Sequence, residues 1–164
     1  METGTVMKQS IRVAALSGSL RKGSYHKGLL RAAIDLAKES VPGMQIEYID
    51  ISPLPFMNTD LEINGTYPAV VEAFRQKILE ADSILFASPE YNYSVSGISK
   101  RHIYIICLKM GFHWQAGIQF SLNAFQPPEK FDVEGNLVDE SAKERLKKVL
   151  ISLQEFTMRL QGRE

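Results

Sequence analysis

Ile11-Arg12-Val13-Ala14-Ala15-Leu16-Ser17-Gly18-Ser19-Leu20-Arg21-Lys22-Gly23-Ser24-Tyr25-His26 is the stretch that decides the fold. Its first six residues form a short, mostly apolar run that stops at Ser17-Gly18-Ser19. That is the pattern of a strand buried on both faces and closed by a tight turn. From Tyr25 to Lys38 the apolar residues Leu29, Leu30, Ala33, Ile34 and Ala37 recur at helical spacing and give one apolar face. Pro42-Gly43 ends that helix.

Working outward, Ile46 to Ile51 reads as a second strand, closed by Pro53 and Pro55. A loop follows through Asn58, Asp60 and Asn64-Gly65. Val70, Val71, Phe74, Ile78 and Leu79 mark a second helix, and Ser83 to Ala87 a third strand. The order β-α-β-α-β implies an α/β protein with a parallel sheet and right-handed crossovers. Further on, Ile118 to Asn123 reads as a strand and Phe131 to Asp139 as a turn-rich connection. Ser141-Ala142-Lys143-Glu144 matches a capping box. Leu146, Val149, Leu150, Leu153, Phe156 and Leu160 then line one face of a long final helix. There is no internal repeat, low-complexity segment or linker, so residues 1–164 are expected to form a single domain, with the polar stretch 1–10 disordered.

Composition narrows the class. The 164 residues are 45% apolar and 23% charged, ordinary for a globular chain with one hydrophobic core. Nineteen basic residues balance nineteen acidic ones, which argues against nucleic acid as a partner. The lone cysteine, Cys107, excludes an internal disulfide and fits a reducing compartment. It lies in the apolar run Ile103 to Leu108, where a thiol serves as a small hydrophobe. Met1 to Ser10 lacks the apolar core of a signal peptide, and no apolar run approaches the ~20 residues of a membrane helix. A cytoplasmic protein without an integral membrane segment is expected. His102 and His113 have no cysteine or acidic residue at ligand spacing, so no metal site is expected.

Two loops carry the chemistry. The first, Ser17 to His26, joins a strand to a helix N-terminus. Free amides and the helix dipole favour an anion there. Ser17, Ser19 and Ser24 offer hydroxyls, Arg21 a planar fork suited to phosphate, and Gly18 and Gly23 close backbone approach. Read locally, the same residues also suit a plain polar turn with Ser24 as N-cap. Neither a Walker-type Gly-Lys-Ser/Thr nor a Gly-x-Gly-x-x-Gly signature occurs in it. The second loop, Ser88-Pro89-Glu90-Tyr91-Asn92-Tyr93-Ser94, follows the third strand. In doubly wound sheets, ligands settle outside the carboxyl ends of the strands at the switch point, which flavodoxin-like folds place between the first and third strands. Tyr91 and Tyr93 suit packing on a flat ring, and Asn92 and nearby amides suit its polar edge.

Gly18-Ser19-Leu20-Arg21-Lys22-Gly23-Ser24-Tyr25 and Pro89-Glu90-Tyr91-Asn92-Tyr93-Ser94 resemble the paired signatures of the NADPH-dependent FMN reductase family. The resemblance covers Ile11 to about Ser96 and resumes at Leu122-Asn123-Ala124-Phe125-Gln126-Pro127-Pro128. It implies a flavodoxin-like, doubly wound parallel sheet in three layers. It implies bound FMN, NAD(P)H as co-substrate and a quinone as the acceptor of two electrons, exchanged in ping-pong order by a homo-oligomer. No side chain need be catalytic, because the flavin carries the chemistry. By the same resemblance Ser17, Ser19, Arg21, Ser24 and Tyr25 hold the FMN phosphate. Pro89, Glu90, Tyr91, Asn92, Tyr93 and Ser94 wrap the isoalloxazine ring. His26 stands where the family usually carries asparagine and keeps one hydrogen-bond donor.

The pattern breaks in the middle. The family continues with a helix, a strand, a glycine-rich loop and another helix, whereas this chain has Ser96-Gly97-Ile98-Ser99-Lys100-Arg101-His102 and no such loop. About twenty residues separate Gly97 from Ile118. A helix-strand-helix passage needs roughly thirty. The segment 97–117 is therefore atypical, with room for one strand (Ile103 to Leu108) or one helix, and the sheet is expected to be incomplete between strands 3 and 5. Such a loss leaves several hundred Å² of apolar surface to cover. Two alternatives stand beside the quinone reductase: an inactive or regulatory short form pairing with the full-length enzyme, and a flavodoxin-like electron carrier.

Overall fold

The computed structural model describes residues 10–55, 58–91, 94–95 and 120–162, and for positions 59, 91, 94 and 95 the backbone alone. The expectations for 1–9, Asn92, Tyr93, the segment 97–117 with its Ile103–Leu108 run, and His102, Cys107, His113 and Trp114 lie outside the described residues.

The centre of the molecule is β1 (Ile11–Ser17), flanked by β2 (Met44–Tyr48) and β3 (Ser83–Ala87) in the order β2-β1-β3. Both pairings are parallel, with Val13 opposite Ile46 on one side and Ser83 on the other. A central strand covered on both faces should be apolar throughout. Accordingly every β1 residue is buried except Arg12, which sits near its start. There the Arg12 backbone N–H donates to Asp82 Oδ2 at 2.7 Å, and Asp82 N–H donates back to the Arg12 carbonyl at 2.7 Å.

Side chains alternate across a strand, and β1 feeds two cores. Ile11 and Val13 face α1 (Tyr25–Ser40) and a final helix, α3 (Glu140–Leu160), where Ala33, Ala37, Leu146, Leu150 and Leu153 complete one cluster. Ala14 and Leu16 face α2 (Ala69–Leu79), which contributes Phe74 and Ile78 beside Ile49 and Ile51. Helix, sheet and helix thus form the three layers of a doubly wound α/β fold. Each fully buried Leu or Ile contributes about 1.5–3 kcal/mol, so β1 is the residue run whose loss the fold tolerates least. No described helix is long and apolar enough to cross a membrane.

The elements differ from the sequence reading in four places. β2 begins at Met44, directly after Gly43 at φ +85°, and ends at Tyr48 rather than running from Ile46 to Ile51. The Asp50 carboxylate accepts from Ser52 N–H at 3.0 Å and Ser52 Oγ at 2.7 Å, and this local turn peels the chain off the sheet. The cap of α3 is Asp139, whose carboxylate accepts from Ala142 N–H at 2.7 Å, so Ser141 lies inside the first turn. A carboxylate there also complements the helix dipole, which a serine hydroxyl does not.

Residues 120–123 are not strand; Phe120 and Leu122 instead lean on the first core. Arg145 holds that stretch, donating to the Ser121 carbonyl at 3.1 Å with its guanidinium 4.8 Å from the Phe120 ring centre. On the face of α3, Leu160 is exposed and Thr157 is buried in line with Leu153, whose carbonyl accepts from Thr157 Oγ1 at 2.7 Å. A threonine that bonds the preceding turn satisfies its hydroxyl, which apolar periodicity does not register.

Candidate functional site

Strand order places the site. The chain leaves β1 for β2 on one side and crosses over to β3 on the other, so the direction of winding reverses between β1 and β3. Their carboxyl ends are level, with Ser17 opposite Ala87. The Gly18 N–H then donates to the Ala87 carbonyl at 2.7 Å, so the loops after both strands start side by side.

The first loop is shaped from within. Ser17 is buried; its Oγ contacts the Ser19 carbonyl at 3.2 Å and accepts from the Ser19 N–H at 3.3 Å. Ser24 is the N-cap of α1 and accepts from the His26 N–H at 3.2 Å, which leaves its hydroxyl proton to donate elsewhere. Arg21 is exposed and donates to the Gly23 carbonyl at 3.1 Å. The backbone N–H groups of Leu20, Arg21 and Tyr25 meet no protein acceptor among the described residues. No carboxylate occurs from Ser17 to His26, and the first turn of α1 has no acidic residue. Amides, a guanidinium and a helix N-terminus without opposing acid fit a phosphate monoester.

His26 sits half-buried behind this loop, its Nδ1 3.5 Å from Ser24 Oγ. Burial lowers its pKa below the ordinary 6.5, so at neutral pH it contributes a hydrogen bond and not a charge. Tyr25 is tied into the protein: its ring stacks on Phe131 at 4.4 Å and meets Phe125 edge-on at 6.1 Å, with the Arg21 guanidinium 5.8 Å away. It walls the loop with its ring.

The second loop leaves β3 through Ser88, whose Oγ donates to the Pro89 carbonyl at 3.0 Å. Glu90–Tyr91 (β4) pairs antiparallel with Ser94–Val95 (β5), Tyr91 opposite Ser94. Pro89 is half-buried and Glu90 exposed. Asn92 and Tyr93 join the two short strands, and they and the Tyr91 and Ser94 side chains lie outside the described residues. The structure therefore brings Ser17, Ser19, Arg21, Ser24, Tyr25 and His26 onto one loop, with Pro89 and Glu90 on the loop that starts beside it.

One participant escaped the sequence reading. The turn Phe131 to Leu137 docks on the first loop and the start of α1. Arg31 donates to Asn136 Oδ1 through Nε at 3.0 Å and Nη2 at 2.6 Å, across more than a hundred residues of chain. Asp132 holds the turn together, accepting from the Glu134 N–H at 2.9 Å, the Asn136 N–H at 2.8 Å and Asn136 Nδ2 at 3.0 Å. These bonds keep its carboxyl below the usual 3.8, led by those from Asn136. Asp132, Gly135 and Asn136 are turn formers, and that was the available signal. What the turn packs against is a tertiary matter.

The sequence profile of the family described as NADPH-dependent FMN reductase matches residues 11–115. A NADPH:quinone oxidoreductase of Arabidopsis thaliana is 61% identical over 196 aligned positions, covering 99% of this chain and 100% of that protein. A NAD(P)H:quinone oxidoreductase of Solanum tuberosum is 48% identical, covering 93% of this chain and 96% of that protein. The 196 aligned positions exceed the 164 residues here, so the Arabidopsis relative has residues without a counterpart in this chain. Among solved structures, the flavoenzyme NAD(P)H:(acceptor) oxidoreductase of Paracoccus denitrificans shares the fold, with a TM-score of 0.64 at 19% identity over 91% of this chain and 98% of that one. Two loops at the β1–β3 switch point, a profile running through both and near-full-length relatives agree: the chain belongs to the NADPH-dependent FMN reductase family.

Proposed function

We propose that residues 1–164 form one FMN-binding unit that passes two electrons from NAD(P)H to a quinone. The observation that carries this reading is the Gly18–Ala87 hydrogen bond, which sets a phosphate-type loop beside the Pro89-Glu90-Tyr91 loop. Kinship with proteins named as quinone oxidoreductases supports the choice of acceptor. When bound, FMN supplies hydride acceptance from the nicotinamide and hydride donation to the quinone.

The protein's own work is positioning. Arg21, the amides of Leu20, Arg21 and Tyr25, and the hydroxyls of Ser19 and Ser24 bind the phosphate. Ser17 fixes the turn from below, Tyr25 walls it and neutral His26 adds one donor. Pro89, Glu90, Tyr91, Asn92, Tyr93 and Ser94 would hold the ring. No side chain acts as a nucleophile. With FMN held there, nicotinamide and quinone would bind in turn, a ping-pong order, in a cytoplasmic homo-oligomer.

The test is direct. The purified chain should be yellow after FMN addition and should oxidise NADPH in the presence of a simple quinone, with parallel double-reciprocal lines. Intersecting lines would reject the alternating order. A colourless protein without quinone-dependent NADPH oxidation would reject the assignment.

A second reading is favoured by the residues of the Arabidopsis relative that have no counterpart here. In it the chain is a short subunit that pairs with a longer reductase and modulates it. Co-expression with such a reductase should then give a mixed oligomer, and a stable flavin-loaded homomer that ignores the longer chain speaks against it.

A further inference from the structure

The turn at residues 131–137 fits the first loop more closely than a surface connection needs to. A methyl group built on Gly28 would lie 1.8 Å from the Gly135 carbonyl oxygen, so helix and turn meet backbone to backbone. Gly135 itself has φ +81°, and a side chain there would approach the Gly23 carbonyl at 3.0 Å. Phe131 stacks on Tyr25 at one end of the turn. The Arg31 fork closes on Asn136 at the other, reaching the Gly135 carbonyl at 3.4 Å as well. The contacts thus bracket residues 23–31, the end of the loop that carries the Ser24 N-cap and the Tyr25 amide.

We propose that this turn is a positioning lock for the phosphate end of the site, with Asn136 and Arg31 as its positioning residues and Phe131 as its brace. It touches no ligand. It fixes the entry of the chain into α1, and so the direction of the Tyr25 amide and the Ser24 hydroxyl, from a segment more than a hundred residues away. A ligand that relies on those donors loses affinity when the lock opens, because pre-set donors bind without first being ordered. A ligand that lacks the phosphate does not. This inference rests on reading residues 17–26 as the phosphate loop.

FMN and riboflavin differ by that phosphate alone and separate the possibilities. Their affinities would be measured by flavin fluorescence quenching on the full chain, on Asn136→Ala and on Arg31→Lys, with thermal unfolding of each. Arg31→Lys keeps the charge and the stem but loses the fork, so it supplies the measurement if Asn136→Ala does not fold. FMN affinity should fall about tenfold in the variants, the size expected when outer groups that orient ligand-binding groups are removed. Riboflavin affinity should stay within about twofold, well under the tenfold step that corresponds to 1.4 kcal/mol. An equal fall for both flavins, or no fall for FMN, overturns the lock. Wild-type protein that binds FMN no better than riboflavin overturns the phosphate-loop reading itself, and the lock with it.

Discussion

Gly28 of α1 lies so close to Gly135 of the 131–137 turn that a methyl group on Gly28 would overlap the Gly135 carbonyl oxygen, while Gly135 in turn faces the Gly23 carbonyl. Helix propensity alone would favour alanine at position 28 by about 1 kcal/mol. The 1.8 Å approach to the Gly135 oxygen reverses that preference, since the obstacle is backbone and cannot swing away. Gly28→Ala is expected to destabilise by about 1–3 kcal/mol, the range for overpacked sites. Urea unfolding of the two proteins checks it, and an unchanged midpoint would show that the turn yields freely.

Arg21 is, with Lys22, an exposed cation of the first loop, and its guanidinium donates to its own loop's Gly23 carbonyl. Arg21→Ala is expected to weaken FMN binding by about 1.5–3 kcal/mol, as for a hydrogen bond to a charged group. Arg21→Lys should recover part of the loss, because charge remains without the fork. Equilibrium dialysis at two salt concentrations would show whether charge or geometry dominates.

Capping of α3 separates two residues two positions apart. Asp139→Ala should cost about 1 kcal/mol through loss of the bond to the Ala142 N–H. Ser141→Ala should cost within about 0.5 kcal/mol, as expected of an exposed surface change. Thermal denaturation of both variants decides between them, and the reverse order would restore the serine as the cap.

The buried His26 makes stability depend on pH in a definite direction. Its folded pKa lies below the ordinary 6.5, so the unfolded chain binds the proton first. The contribution of neutral His26 is complete above that ordinary value and is lost as pH falls through the lower, folded one. The melting temperature of the flavin-free protein should therefore drop as pH falls below about 6.5. His26→Asn should flatten that part of the profile, and an equally steep drop in the variant would assign it to other groups.

The sheet was legible because its signals are local and redundant. β1, α1 and β3 each show the apolar run or the period that burial demands, and Ser17 to Ser24 shows the turn chemistry of a strand-to-helix loop. What was not legible depends on which of several competing local bonds wins or on partners far along the chain. Asp50 ends β2 through its own local turn, although Ile49 and Ile51 on either side of it remain buried in the second core. Asp139 outcompetes Ser141 because a charged cap two positions earlier bonds the free Ala142 N–H of the first turn. Asn136 looked like loop filler, since nothing near it in sequence announces that Arg31 will bind it. The site divides likewise: the loops were readable from their own residues, the support beneath them was not.

The hydrogen bond between Gly18 and Ala87 has one more implication. It continues the ladder of the sheet by one rung into the loops, so both loops hang from strands held about 4.8 Å apart by backbone pairing. Such a spacing cannot be widened by hinge or sliding motions of layers without breaking the sheet. Evolution of new acceptors on this frame is therefore confined to the outlying tips and to whatever closes over them, while the anchorage behaves as a ruler of constant length.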